Sequence, residues 1–184
     1  PLHATYSKGQ IAVAHNGNIT NARALKRDLE SRGAIFQSTT DTEVILHLMA
    51  HEQSLSPIDA LVKSLSKLRG AFSIVAIIEG RLVAARDPWG FRPLVIGKRD
   101  DVYYVASESC ALDIVNADFV RDVAPGEIVI IEEGKLESLN MPVKAERHFR
   151  CSFEYVYLAR PDSVIDDKSV YDVRFKLGQR LACT

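Results

Sequence analysis

The chain has 184 residues, 47% of them hydrophobic, with 23 Lys and Arg against 24 Asp and Glu for a formal net charge of −1. That size fills one domain, or one and the start of another, since domains commonly hold about 100–150 residues. The balanced charge excludes the clustered positive surface that nucleic acid or an anionic membrane requires, which leaves a small molecule or another protein as the expected partner.

In chain order, the first signal is an apolar run, Ile11–Ala14, that stops at the polar segment His15-Asn16-Gly17-Asn18. Asn-Gly is a favoured hairpin pair, so a tight turn is expected there. Thr20 then caps a helix with Ala22, Leu25 and Leu29 on one face and Gly33 just past its end. A short strand is expected over Ala34–Gln37, followed by a second polar segment, Thr39–Glu43. The next helix carries Val44, Ile45, Leu48 and Met49 on one stripe, and another begins at Ser56-Pro57 and runs through Leu61 and Leu65 toward Gly70. From Ala71 the period changes to strands at Ala71–Ile78, Arg81–Arg86, Leu94–Gly97, Val102–Ala106 and Glu127–Glu132. Helices gathered before hairpin-linked strands define an α+β domain, with helices packed on an antiparallel sheet. The polar stretch Met141–Arg147 reads as a linker, dividing the chain into residues 1–147 and 148–184. The opening at Pro1 without a turn signal, and a helical spacing at Val173, Leu177 and Leu181 with no C-cap, read as ends cut from something longer.

Three widely spaced cysteines, Cys110, Cys151 and Cys183, with no signal-like segment and no apolar span of about 18 residues, favour a reducing, cytoplasmic setting. His47 and His51 stand at helical spacing, but no acid or cysteine lies near them at zinc spacing, so no zinc site is expected. The chemistry resides instead in the two polar segments. A side-chain amide from Asn16 and a backbone N–H from Gly17, aimed at one point, form the pair of donors that a developing oxyanion needs. Thr40-x-x-Glu43 reads as a capping box, whose turn would aim the carboxylate of Asp41.

His15-Asn16-Gly17-Asn18 followed by Thr40-Asp41-Thr42-Glu43 resembles the glutaminase domain of class II glutamine amidotransferases, which are N-terminal nucleophile hydrolases. Three later segments, Arg86–Leu94, Ser107–Asp113 and Phe153–Ser163, resemble the branch of that family that carries a phosphoribosyltransferase domain behind the glutaminase. The resemblance implies a partial αββα glutaminase sandwich over residues 1–147 and the beginning of an α/β phosphoribosyltransferase domain over 148–184. It also implies a parent enzyme, a homo-oligomer, that moves the amide nitrogen of glutamine onto phosphoribosyl pyrophosphate for purine synthesis. In that reading Asn16 and Gly17 form the oxyanion hole and Asp41 holds the α-ammonium of glutamine. Trp89 and Arg92 shape the pocket. Magnesium would act with phosphoribosyl pyrophosphate in a part of the parent outside this chain. Cys151 matches a column that supplies one thiolate of a [4Fe–4S] cluster in some members. The family's nucleophile is an N-terminal cysteine, which Pro1 cannot replace, so the 184 residues by themselves are expected to be inactive. The alternatives are a glutaminase domain of the glucosamine 6-phosphate or asparagine synthetase type, or a non-catalytic module of the same fold.

Overall fold

The computed structural model describes residues 1–143 and 145–183. Its main sheet has six antiparallel strands in the order β1 (Leu2–Tyr6), β2 (Gly9–Ile19), β3 (Gly70–Ile78), β4 (Arg81–Arg86), β8 (Glu127–Glu132) and β9 (Lys135–Asn140). A second sheet of three strands has β5 (Val95–Arg99) between β6 (Val102–Ala106) and β7 (Asp118–Asp122).

Period-2 alternation on the central strand builds the layers. Phe72, Ile74, Ala76 and Ile78 of β3 join Ile11, Val13 and Ile19 of β2 in the largest core cluster. That cluster is closed by α1 (Ala22–Ser31), α2 (Glu43–His51) and α3 (Pro57–Leu65) through Leu29, Val44, Ile45, Leu48, Leu61 and Leu65. The opposite face of the same sheet, through Val75, Ala84, Val129 and Ile131, packs on Ile96 of the second sheet and on Leu94 just before it. Val95, one residue along from Ile96, faces the other way and packs with Leu112 of the short helix α4 (Cys110–Ile114). Gly97 admits this helix, because a Cβ there would stand 2.5 Å from Leu112 Cδ2. The order of layers is therefore helices, sheet, sheet, helix.

Helix α3 is capped and α1 is stopped as the sequence predicts, but the expected Thr20 cap of α1 does not form. Ser56 Oγ accepts from Asp59 N–H at 3.1 Å with Pro57 at the first turn of α3, and Gly33 at φ +92° ends α1. Thr20 and Asn21 serve another purpose. Thr20 Oγ1 donates to Arg69 O, Asn21 Nδ2 donates to Lys67 O and Asn21 Oδ1 accepts from Arg69 N–H, which ties the start of α1 to the segment entering β3.

Three further local expectations are corrected. No turn forms at Asn16-Gly17: β2 continues straight through to Ile19, because β3 offers a partner at every position from Ile11↔Ile78 to Ile19↔Gly70. Ala34–Gln37 is not a strand; it covers the helical layer, with Phe36 on the His47 ring at 4.1 Å and Lys26 Nζ 4.6 Å from the Phe36 centroid. The Thr40–Glu43 capping box is absent as well. Glu43 instead accepts from Gln37 N–H, Ser38 N–H and Ser38 Oγ, at 2.8, 2.8 and 2.6 Å.

Met141, at the start of the expected linker, is 2% exposed in the main core and donates its N–H to Gly126 O; Lys144 lies outside the described residues. The following stretch is fastened to loops of the sandwich. Phe149 N–H donates to Trp89 O at 2.8 Å, Cys151 N–H to Phe91 O at 3.3 Å, and the Phe91 and Phe149 rings stack 5.6 Å apart. Glu108 Oε2 accepts from Arg160 N–H and Ser163 Oγ. After a π-helical turn at Glu154–Leu158 and a small hairpin, β10 (Val164–Ile165) and β11 (Lys168–Ser169), the chain ends in α5 (Val170–Ala182). That helix leaves Tyr171, Phe175, Leu177 and Leu181 exposed.

Candidate active site

Backbone parity decides which way the groups of β2 point. Phe72 directs both backbone groups toward the β4 side, where Asp87 N–H donates to Phe72 O at 2.8 Å and Phe72 N–H donates to Asp87 Oδ2 at 3.3 Å, so its opposite number on β2, Gly17, is in a non-hydrogen-bonded pair. Gly17 N–H is therefore directed away from β3, toward the outer edge of β2. Ile19, two residues on, has the same parity, and its N–H is found donating outward to Asp41 Oδ2 at 2.8 Å. Strand β1 covers β2 only from Gly9 to Val13, so among the described residues no strand lies against Gly17 or Ile19 on that edge.

Glycine is required at position 17. Its φ is +149°, and a Cβ there would lie 2.1 Å from Ala71 O and 2.9 Å from Phe72 Cα. Asn16, with the opposite side-chain parity, is exposed beside this edge.

Asp41 is held from several directions. Its Oδ2 takes Ile19 N–H, while its Oδ1 stands 3.5 Å from Thr42 Oγ1 and 3.6 Å from His15 Nδ1. The Glu43 contacts with residues 37 and 38 fix the loop that delivers it. Hydrogen bonds from Gln37 and Ser38 hold the Glu43 carboxyl below its ordinary value despite the opposing effect of burial. Asp41 opens on a cleft of about 440 Å³ lined by Asn18, Ile19, Thr20, Ala22, Arg23, Lys26, Thr39, Thr40 and Val44.

The sequence-predicted residues are thus strung along one edge. Two strand residues span about 7 Å, which separates Gly17 N–H from the Ile19 N–H that Asp41 occupies. Asn16 and Gly17 lie on this edge but, unlike Asp41, do not line the cleft.

Trp89 and Arg92 do not line the cleft at Asp41. Asp87, fully buried, accepts from the N–H groups of Phe72, Trp89, Gly90 and Phe91 at 2.9 to 3.3 Å; burial pushes its carboxyl up, and those four donors pull it back. The guanidinium of Arg86 donates to Arg92 O, Val123 O and Gly90 O. The Arg86–Leu94 segment is thereby a rigid loop, and Arg92 Nη1 donates from it to Glu154 Oε1 at 2.5 Å.

Cys151 does not fit a cluster within this chain. It is a half-buried single thiol, and no group of three or more His, Cys, Asp or Glu among the described residues could hold a metal. Sequence reasoning assigned no role to His15, although the residue opens the first motif. Its side chain is 3% exposed under Asp41, and its Nδ1 lies 3.2 Å from Thr42 Oγ1.

A helix–sheet–sheet–helix sandwich of antiparallel strands is the architecture of the N-terminal nucleophile hydrolases. Residues 1–113 match the family model described as a glutamine amidotransferase domain, and the chain belongs to that family. It is 45% identical to the amidophosphoribosyltransferase of Rhizobium etli, over 99% of this chain and 38% of the relative, and 42% identical to that of Methanocaldococcus jannaschii, over 99% and 42%. The solved glutamine phosphoribosylpyrophosphate amidotransferase of Bacillus subtilis, in complex with ADP and GMP, superposes with a TM-score of 0.94 at 43% identity, covering 99% of this chain and 40% of that one. The chain thus spans about two fifths of the length of these relatives, and the likeness expected from Arg86–Leu94, Ser107–Asp113 and Phe153–Ser163 is borne out. No helix among the described residues is long and apolar enough to cross a membrane.

Proposed function

We propose that this chain is the glutamine-binding part of an enzyme that releases the amide nitrogen of glutamine and passes it to phosphoribosyl pyrophosphate, giving 5-phosphoribosylamine, glutamate and pyrophosphate. One observation supports this reading most directly: Asp41 is bonded to Ile19 N–H on the strand edge that carries Gly17 N–H two residues away. Asp41 receives the ammonium as a charge-assisted contact. The carboxamide carbon sits at Gly17, where the backbone N–H and the Asn16 amide stabilise the oxyanion once a thiolate has attacked. The thiol comes from the N-terminal cysteine that this family uses, outside these 184 residues. Residues 148–184 begin the phosphoribosyltransferase domain of a homo-oligomeric parent, and magnesium acts with phosphoribosyl pyrophosphate beyond this chain.

The test is Asn16→Ala in the full-length parent. Loss of one oxyanion donor lowers glutamine-dependent synthesis about 100- to 1,000-fold. Ammonia-dependent synthesis, which bypasses amide hydrolysis, stays within about twofold of the parent rate. Equal loss of both activities would refute the assignment.

A further inference from the structure

His15 is out of place by packing alone. It lies on β2 between Val13 and Ile19, on the face that builds the main core, opposite Ile74. A branched aliphatic side chain would suit that position, yet the imidazole is buried there with Nε2 lacking a partner of hydrogen-bond geometry. Its other nitrogen is committed: Nδ1 faces Thr42 Oγ1 at 3.2 Å and Asp41 Oδ1 at 3.6 Å.

We propose that His15 is a positioning residue which, through Thr42, holds the Asp41 carboxylate in the orientation that receives the α-ammonium of glutamine. This rests on the glutamine reading of Asp41. Thr42 Oγ1 joins the two side chains: it lies 3.2 Å from His15 Nδ1 and 3.5 Å from Asp41 Oδ1, and accepts from Thr40 Oγ1 at 3.3 Å. With Ile19 N–H on Oδ2, each carboxylate oxygen is oriented by the chain, and the remaining lone pairs open on the cleft.

The charge state of His15 also matters. Burial pushes its pKa down, against the pull of Asp41 and of the Ala71 backbone, so the ring is neutral near pH 7. A cationic imidazole would compete with the ligand's ammonium for Asp41; a neutral one orients the carboxylate and leaves its charge for the ligand. His15 does not line the cleft, so it acts on the ligand only through Asp41 and Thr42.

The experiment compares glutamine- and ammonia-dependent kinetics of the full-length parent in His15→Asn, His15→Gln, His15→Leu, Thr42→Ser, Thr42→Val and Asp41→Asn. Asn places an amide nitrogen near the site of Nδ1, whereas Gln extends it toward the site of Nε2. His15→Leu, His15→Gln and Thr42→Val raise KM for glutamine about tenfold or more, with kcat and the ammonia-dependent rate changed less than about threefold. His15→Asn and Thr42→Ser stay within about threefold of the parent KM. An unchanged KM in His15→Leu, or an Asn variant no better than Gln, overturns the proposal. Should His15→Leu lose ammonia-dependent activity too, the Thr42→Val and Thr42→Ser pair decides by the same criterion. Asp41→Asn separates the two layers of inference. If it leaves KM unchanged, the glutamine reading of Asp41 fails; if it raises KM while His15→Leu does not, only the role of His15 fails.

Discussion

Gly17→Ala places a methyl group where β2 and β3 have no room for it. The added Cβ would lie 2.1 Å from Ala71 O, 2.8 Å from Ala71 C and 2.9 Å from Phe72 Cα, all of them backbone atoms that cannot swing aside. Restoring ordinary contact moves the strands apart by about 1 Å, which stretches the neighbouring Asn16–Ser73 and Asn18–Ala71 hydrogen bonds past useful length. Two to four such bonds at about 1 kcal/mol each, added to about 1–3 kcal/mol for an L residue held at this φ, give a loss of about 3–7 kcal/mol. For a protein of this size each kcal/mol moves Tm by about 2–4 °C, so a drop of about 10 °C is the expected scale in thermal unfolding followed by circular dichroism. The same separation displaces the Gly17 N–H, so glutamine-dependent synthesis in the parent falls further than ammonia-dependent synthesis. A variant with Tm within about 2 °C of the parent and an unchanged ratio of the two activities would refute the argument, since the strand edge would then tolerate a side chain at its tightest point.

Other perturbations test the frame around that edge. Asp87→Asn weakens the acceptor shared by four backbone N–H groups and should cost about 3 kcal/mol or more in denaturant unfolding; a loss under about 0.5 kcal/mol would show that the loop stands without it. Arg92→Met leaves Glu154 buried without its partner, at a cost of about 3–5 kcal/mol, and should speed amide hydrogen exchange at Phe149 and Cys151; unchanged exchange would mean that the ion pair does not hold that segment. Glu127 is held below its ordinary carboxyl value because bonds from Arg121, Ser138 and Ala124 N–H outweigh the opposing effect of burial. A depressed folded pKa means that the unfolded chain takes up the proton first, so this stability is present above about pH 4.5 and is lost as pH falls through the folded value. Glu127→Gln should therefore lower stability at pH 7 and flatten the acid limb of a stability-against-pH curve; a parallel curve would contradict the sign.

Helices α1, α2, α3 and α5 were legible in the sequence because each signal was local, a 3.6-residue stripe, a serine cap or a glycine stop, whereas the five-residue α4 and the π-helical turn are too short to show one. The interior strands β3, β4, β5 and β8, and the edge strand β6, were legible from their apolar runs. What escaped was whatever depended on a distant partner. Strand β9, Lys135–Asn140, pairs on one side only and exposes most of its residues, so it carries little apolar signal. Strands β1 and β7 are short and mixed for the same reason. Asn16-Gly17 was misread as a turn because the dipeptide favours one in isolation, whereas nine consecutive pairings with β3 hold it extended. That misreading bears on the site itself. A hairpin would have pointed the Asn16 and Gly17 donors out from a loop tip; a continuous strand places Gly17 N–H on a straight edge, at a distance from Asp41 set by the strand's own rise. The site's spacing is thus a property of the sheet, and it became visible only once the register with β3 was known. The motif was readable as a composition of donors and a carboxylate, but their placement along one strand edge came from tertiary pairing.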